Sequence, residues 1–199
     1  IRANYLEPAG SKTGKLFPTG NRIDILEVDG FGKIEATLID VSNPMVIVRG
    51  LDLGISGTDM PTDLEAKQGL LELIERIRAE ACCRMGIAAT PEEATRDHSN
   101  MPFIGLYNVP TAFTALNGTH YEAEEMDVSM RMISARLANK AQPIVCANAI
   151  AVALEVPGTL LSNAIPGKYG KKQIRIGHPS GVLSVYPDVS MDESGTITI

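Results

Sequence analysis

Four consecutive residues, His178-Pro179-Ser180-Gly181, interrupt two strand-like runs in RIGHPSGVLSVYP and carry the donor groups that an anion requires. Successive backbone N–H groups in a Ser-Gly turn form a concave nest, and the serine hydroxyl adds a donor toward a carboxylate oxygen. The same residues also satisfy a plain β-turn, so residue types alone leave both readings open. Asn43-Pro44 poses the same choice: a side-chain amide held in extended geometry ahead of proline, or an ordinary break before a strand. A third candidate is the start of the apolar run at 144–154, IVCANAIAVAL, where a helix would offer free N–H groups and a dipole that favours negative charge. Lys140 lies just ahead of it, either as a cation for a carboxylate or as a solvated lysine. This set of turns is suited to binding anions.

Other motifs carry less. GSKTGK, Gly10 to Lys15, resembles a phosphate loop, but three residues rather than four separate its glycines and Leu16 stands where a magnesium-binding hydroxyl is needed. It reads as a basic flexible loop. His98, His120 and His178 are scattered and Cys82-Cys83 lacks ligand spacing, so no metal is expected. No GxSxG elbow occurs, because Ser180 sits in Gly177-His178-Pro179-Ser180-Gly181.

The elements that must position these residues are strands and two helices. IDILEV, KIEATLIDV and MVIV read as an antiparallel hairpin and a third strand, broken at Asn43-Pro44. Residues 63–85 carry Leu64, Leu70, Leu71, Leu73, Ile74, Ile77, Ala81 and Met85 near helical spacing, with Thr62 or Asp63 to cap the start and Gly86 to end it. After a loop rich in Pro, Asp and Ser come FIGLYNV and YEAEEMDVSMRMIS, in which Met126, Val128, Met130 and Met132 alternate with Asp127, Ser129 and Arg131. That Met stripe reads as core. Residues 144–154 are apolar nearly all round and suit an enclosed helix, too short for the roughly 20 residues that span a bilayer. QIRIG, VLSVYP and TITI are the remaining strands. The pattern predicts an α+β domain with a mostly antiparallel or mixed sheet wrapped around a central apolar helix and one amphipathic outer helix.

With 199 residues, 44% hydrophobic and 21% charged, the chain can build one large domain or two small ones. A net charge of −6, dispersed Lys and Arg, and no tryptophan argue against a nucleic-acid partner, and no membrane partner is expected. Three cysteines, two of them adjacent, point to reduced thiols and a cytoplasmic setting. Ile1-Arg2 shows no initiator or signal and the terminal GTITI stops without a polar tail, so a piece of a longer chain is expected, with part of any active site outside it.

GSKTGKLFPTGN, IDVSNPMVIV, GISGTDMP, RMIS, VPGTLL and IGHPSGVLSV, in that order, resemble the PrpF-type 2-methylaconitate cis-trans isomerase family. The resemblance implies a fold related to diaminopimelate epimerase. It implies that 1–199 form the second domain of a two-domain parent; residues 8–22, by their Gly, Ser, Pro and Lys composition, read as an entry loop or linker. The active site would lie in the cleft between the domains. The lysine and cysteine acid/base groups would lie in the missing N-terminal domain. It implies an isomerase moving a proton on an unsaturated di- or tricarboxylate such as aconitate or 2-methylaconitate, without a cofactor; the fragment alone would be inactive. Asn43 and His178, Pro179, Ser180 and Gly181 match the family's Asn-Pro and His-Pro-Ser-Gly turns and would bind substrate, with Lys140. Where many members carry His-Arg-Ala or a similar run, this chain has Asn139-Lys140-Ala141, which keeps a cation, loses an imidazole and leaves substrate choice open. Cys146 falls near the second catalytic cysteine of the related epimerases, and a helix start favours a thiolate. The alternative is a non-catalytic carboxylate-binding or dimerisation module; a second copy of the chain is a further candidate partner.

Overall fold

The computed structural model describes residues 5–192 and 195–199, so the strand-like beginning of the chain lies largely outside the described residues. The strands are β1 (Asp24–Val28), β2 (Gly32–Val41), β3 (Asn43–Arg49), β4 (Phe103–Asn108), β5 (Phe113–Thr114), β6 (His120–Tyr121), β7 (Val128–Ser134), β8 (Leu137–Ala138), β9 (Ile174–His178), β10 (Gly181–Val185), β11 (Ser190–Met191) and β12 (Ile197–Thr198). The helices are α1 (Pro61–Ala66), α2 (Leu70–Arg84), α3 (Pro91–Asp97), α4 (Ile144–Glu155) and α5 (Leu160–Ala164). The main sheet runs β1-β2-β3-β4-β7-β9-β10, with β8 on β7. Its β3–β4 and β7–β9 pairs are parallel and the rest antiparallel, which makes the sheet mixed.

Period-2 alternation assigns each strand's side chains to one of two cores. Ile39, Val41, Met45, Ile47, Tyr107, Val128, Met130, Met132, Ile174 and Ile176 pack on α4, which is therefore buried on nearly every side. Leu38, Val46, Val48, Ile104, Leu106 and Ile133 face the other way and pack against Leu70, Ile74, Ile77 and Ala81 of α2. Gly105 lies on the α4 side because a Cβ there would meet the Met45 Cε at 2.3 Å and the Met130 Cε at 2.8 Å. The Met stripe is thus core, as the sequence indicates, but Met126 leaves it and packs with Phe113 and Ala115.

Several local expectations need correction. The helix read over 63–85 is two helices, separated where Gly69 adopts φ 74°, a left-handed conformation that costs glycine little; Met60, not Thr62 or Asp63, precedes the first. The loop after it contains α3, capped by Thr90, whose hydroxyl accepts from the Glu93 amide at 3.2 Å, and opened by Pro91. Asn43-Pro44 does not break the strand: Val41 pairs with Asn43 and Asp40 with Pro44, and the bend falls on Ser42, at φ 61°. The run 121–134 is a strand end, a 3-10 turn and β7 rather than one strand. Among the described residues no helix is long and apolar enough to cross a membrane.

Candidate functional site

The His178-Pro179-Ser180-Gly181 segment is the tip of the β9–β10 hairpin, with His178 paired to Gly181 and only Pro179 and Ser180 outside the ladder. Proline cannot donate to the ladder, so it suits the tip. Its carbonyl accepts from the Leu116 amide at 2.8 Å. Gly181 has φ 136°, and a Cβ there would sit 3.0 Å from the Tyr121 hydroxyl; both observations require glycine.

Ser180 does not present both its donors outward. Its amide donates to His178 Nδ1 at 3.2 Å and its hydroxyl to the Lys140 carbonyl at 2.5 Å. This corrects the expectation that the amide and hydroxyl of the turn face an anion: each is already bound inside the chain, and the hydroxyl fastens the turn to the segment that leads into α4. His178 is half-buried; burial first, and the Arg131 cation second, lower its pKa to about 4, so the ring is neutral near pH 7.

The other candidates gather around the same helix. Lys140 is exposed, with its carbonyl held by Ser180. Asn148, one turn into α4, donates to the Ser42 hydroxyl at 3.3 Å, which ties the bend preceding Asn43 to that helix. The half-buried Asn43 side chain has no hydrogen-bond partner among the described residues. Cys146 behaves differently. Its side chain is 1% exposed within the α4 core, and burial pushes the thiol up to about 12, against the direction that a helix start by itself would give.

Two features escaped the sequence. Arg131 looked like one polar residue on a strand face, yet it is 1% exposed. Its guanidinium donates to the Met130 carbonyl at 2.8 Å, the Asp59 carbonyl at 2.5 Å and the Gly57 carbonyl, and lies 5.7 Å from the centre of the Phe113 ring. Among the described residues no carboxylate receives a hydrogen bond from it: the Asp59 carboxylate accepts instead from Lys67 Nζ at 2.8 Å and the Ser56 amide at 2.7 Å. Burial draws the Arg131 pKa down to about 10, which leaves it a cation at neutral pH. The signal available was an arginine inside an apolar alternating run.

The second feature is the GSKTGK loop, which is held in place rather than flexible. The buried Asp40 carboxylate accepts from the Lys12 and Thr13 amides at 2.8 and 2.7 Å and from the Ser11 and Thr13 hydroxyls at 2.8 and 2.9 Å. The loop is therefore an anion nest whose anion is the protein's own aspartate. Gly10, at φ 67°, is required because a Cβ would meet Gly14 and Lys15 backbone atoms at 2.6 Å.

Among the described residues no cluster of three His, Cys, Asp or Glu is placed to hold a metal ion. The arrangement offers instead a neutral imidazole, an amide, a lysine and a helix start for a polyanionic ligand.

Comparison with known proteins identifies the family. The PrpF protein family model matches residues 1–199. A 2-methyl-aconitate isomerase of Shewanella oneidensis is 34% identical over 203 residues, covering 100% of this chain and 50% of that protein. A 3-methylitaconate isomerase of Eubacterium barkeri is 29% identical, covering 98% of this chain and 50% of that protein. The crystal structure of a methylitaconate-delta-isomerase superposes with a TM-score of 0.87 at 28% identity, covering 94% of this chain and 48% of the other. The chain thus spans about half the length of the curated relatives it matches.

Proposed function

The chain belongs to the PrpF family, and from that membership we propose that it is one domain of an isomerase that transfers a proton on an unsaturated di- or tricarboxylate such as aconitate or 2-methylaconitate. In this reading the fold is of the diaminopimelate epimerase type, the protein works in the cytoplasm, and the active site lies in a cleft completed by a second domain. The observation that carries it is the 2.5 Å contact from Ser180 Oγ to the Lys140 carbonyl, which fastens the His-Pro-Ser-Gly turn to the approach to α4 and so brings two of the carboxylate-binding candidates together.

A base removes a proton from a carbon activated by the double bond and a neighbouring carboxylate. The electron pair spreads through the conjugated system onto carboxylate oxygens. An acid then returns a proton to another carbon of the same system, or to the original carbon after rotation. Substrate and product have the same atoms and oxidation state, so no redox equivalent is consumed. The barrier lies in placing a further negative charge on a molecule that already carries several. Preorganised donors and cations lower it. His178, Asn43, Lys140 and the α4 start are assigned to that task, with the Pro179-Ser180-Gly181 turn holding His178 in place. Cys146 is a packed thiol of the α4 core, and the proton-transfer groups are assigned to the N-terminal domain of the parent.

The test is incubation of the full-length protein with cis-aconitate, and separately with 2-methylaconitate, in deuterated water, followed by proton NMR. Interconversion of isomers with entry of solvent deuterium is the expected result. If neither compound reacts or exchanges, the substrate assignment falls and a carboxylate-binding module takes its place.

A further inference from the structure

The hydrogen bonds of the turn fix the chemical form of His178. A backbone amide can only donate, so the 3.2 Å bond from the Ser180 amide to Nδ1 requires a lone pair on Nδ1 and places the ring proton on Nε2. No described residue accepts from Nε2. A proton added to Nδ1 would set two N–H groups against each other.

Arg131 is a buried cation on the neighbouring strand. By alternation it shares a face with Ser129 and Gly177 and lies over Phe113, while His178 follows Gly177 onto the opposite face. Among the described residues its hydrogen bonds go to three carbonyls; the Asp59 carboxylate, bound to Lys67 and the Ser56 amide, acts on its charge through space only. Of the other polar groups near the turn, the Tyr121 hydroxyl lies at Gly181 and Lys140 meets Ser180 through its backbone carbonyl. Nothing in this set favours an imidazolium.

We propose that His178 is a neutral Nε2–H donor to a substrate carboxylate oxygen, locked in that tautomer by the Ser180 amide. The substrate contact rests on the carboxylate-site reading given above; the state of the ring does not. The depressed pKa, to about 4, agrees with this geometry. A neutral donor binds a carboxylate with equal strength across the pH range in which an ordinary histidine, near 6.5, would switch its charge.

The experiment is nitrogen NMR of the protein labelled with 15N-histidine, with His178 assigned from a His178→Gln sample against His98 and His120. The expected spectrum shows Nδ1 as the unprotonated, pyridine-like nitrogen and no titration from pH 8 to pH 5. A mixture of tautomers, or a midpoint near 6.5, overturns the proposal. In the full-length protein, saturating cis-aconitate is expected to move the Nε2 resonance. Aconitate binding without that change overturns the donor role. A failure to bind aconitate at all falsifies instead the substrate assignment made above, and the ring state is then judged by the tautomer and the titration.

Discussion

Replacing Ser180 by alanine separates a latch from a direct substrate donor. In the structure the hydroxyl proton goes to the Lys140 carbonyl at 2.5 Å, so what is lost is the fastening of the hairpin tip to the segment before α4. A neutral intramolecular hydrogen bond contributes about 1 kcal/mol net, equivalent to about 5-fold in an equilibrium or rate constant. A donor aimed at developing negative charge contributes about 3 kcal/mol, roughly 150-fold. The exposed position of Ser180 lets water take over the freed Lys140 carbonyl, which keeps the cost at the smaller figure. Ser180→Ala in the full-length protein is therefore expected to lower kcat/KM for its carboxylate substrate about 5-fold, mostly through KM, with a urea midpoint close to that of the wild type. The assay is steady-state isomerisation alongside urea unfolding of the same samples. A loss beyond about 100-fold at unchanged stability would show that the hydroxyl works on the substrate itself. Unchanged kcat and KM would show that the turn is structural and that the site lies elsewhere.

Asp40→Ala removes the acceptor of four hydrogen bonds that hold the Gly10–Lys15 loop; because part of that loop can rehydrate, the expected cost is about 3 kcal/mol in urea unfolding, and a change under about 1 kcal/mol would contradict the nest. Burial alone would raise the pKa of Asp127, but hydrogen bonds from Arg175, Lys168 and Lys171 overcome it and hold the carboxyl well below its ordinary value. Its stabilisation is thus complete above about pH 4 and is lost as pH falls through the lower folded-state value, so Asp127→Asn should destabilise the protein at pH 7 and flatten the acid limb of its stability profile; parallel acid limbs would refute this. Cys146 and Cys82, with thiols pushed up to about 12 and about 11 and buried, should resist a thiol reagent until the protein unfolds, whereas the half-buried Cys83 reacts first; rapid labelling of Cys146 in the folded protein would return it to the list of reactive groups.

The sequence by itself determined the elements whose signals are local. Alternation set the Met130 and Met132 face toward the core, the all-apolar run at 144–154 demanded an enclosed helix, and the ordered short motifs carried the family. Glycine and proline marked most of the breaks. Other features depend on partners distant in sequence and were decided by tertiary structure alone. Asp40 fills the nest of a loop 27 residues before it, which no local pattern encodes. Arg131 is buried because carbonyls 72 and 74 residues away accept its protons, whereas its neighbours in the strand show only alternation. Ser180 spends its hydroxyl on a carbonyl 40 residues back, and that contact removes the outward donor that its residue type offers. Residue types specify which donors exist; only the folded chain determines which of them remain free for a ligand, because most polar groups find their partners within the protein.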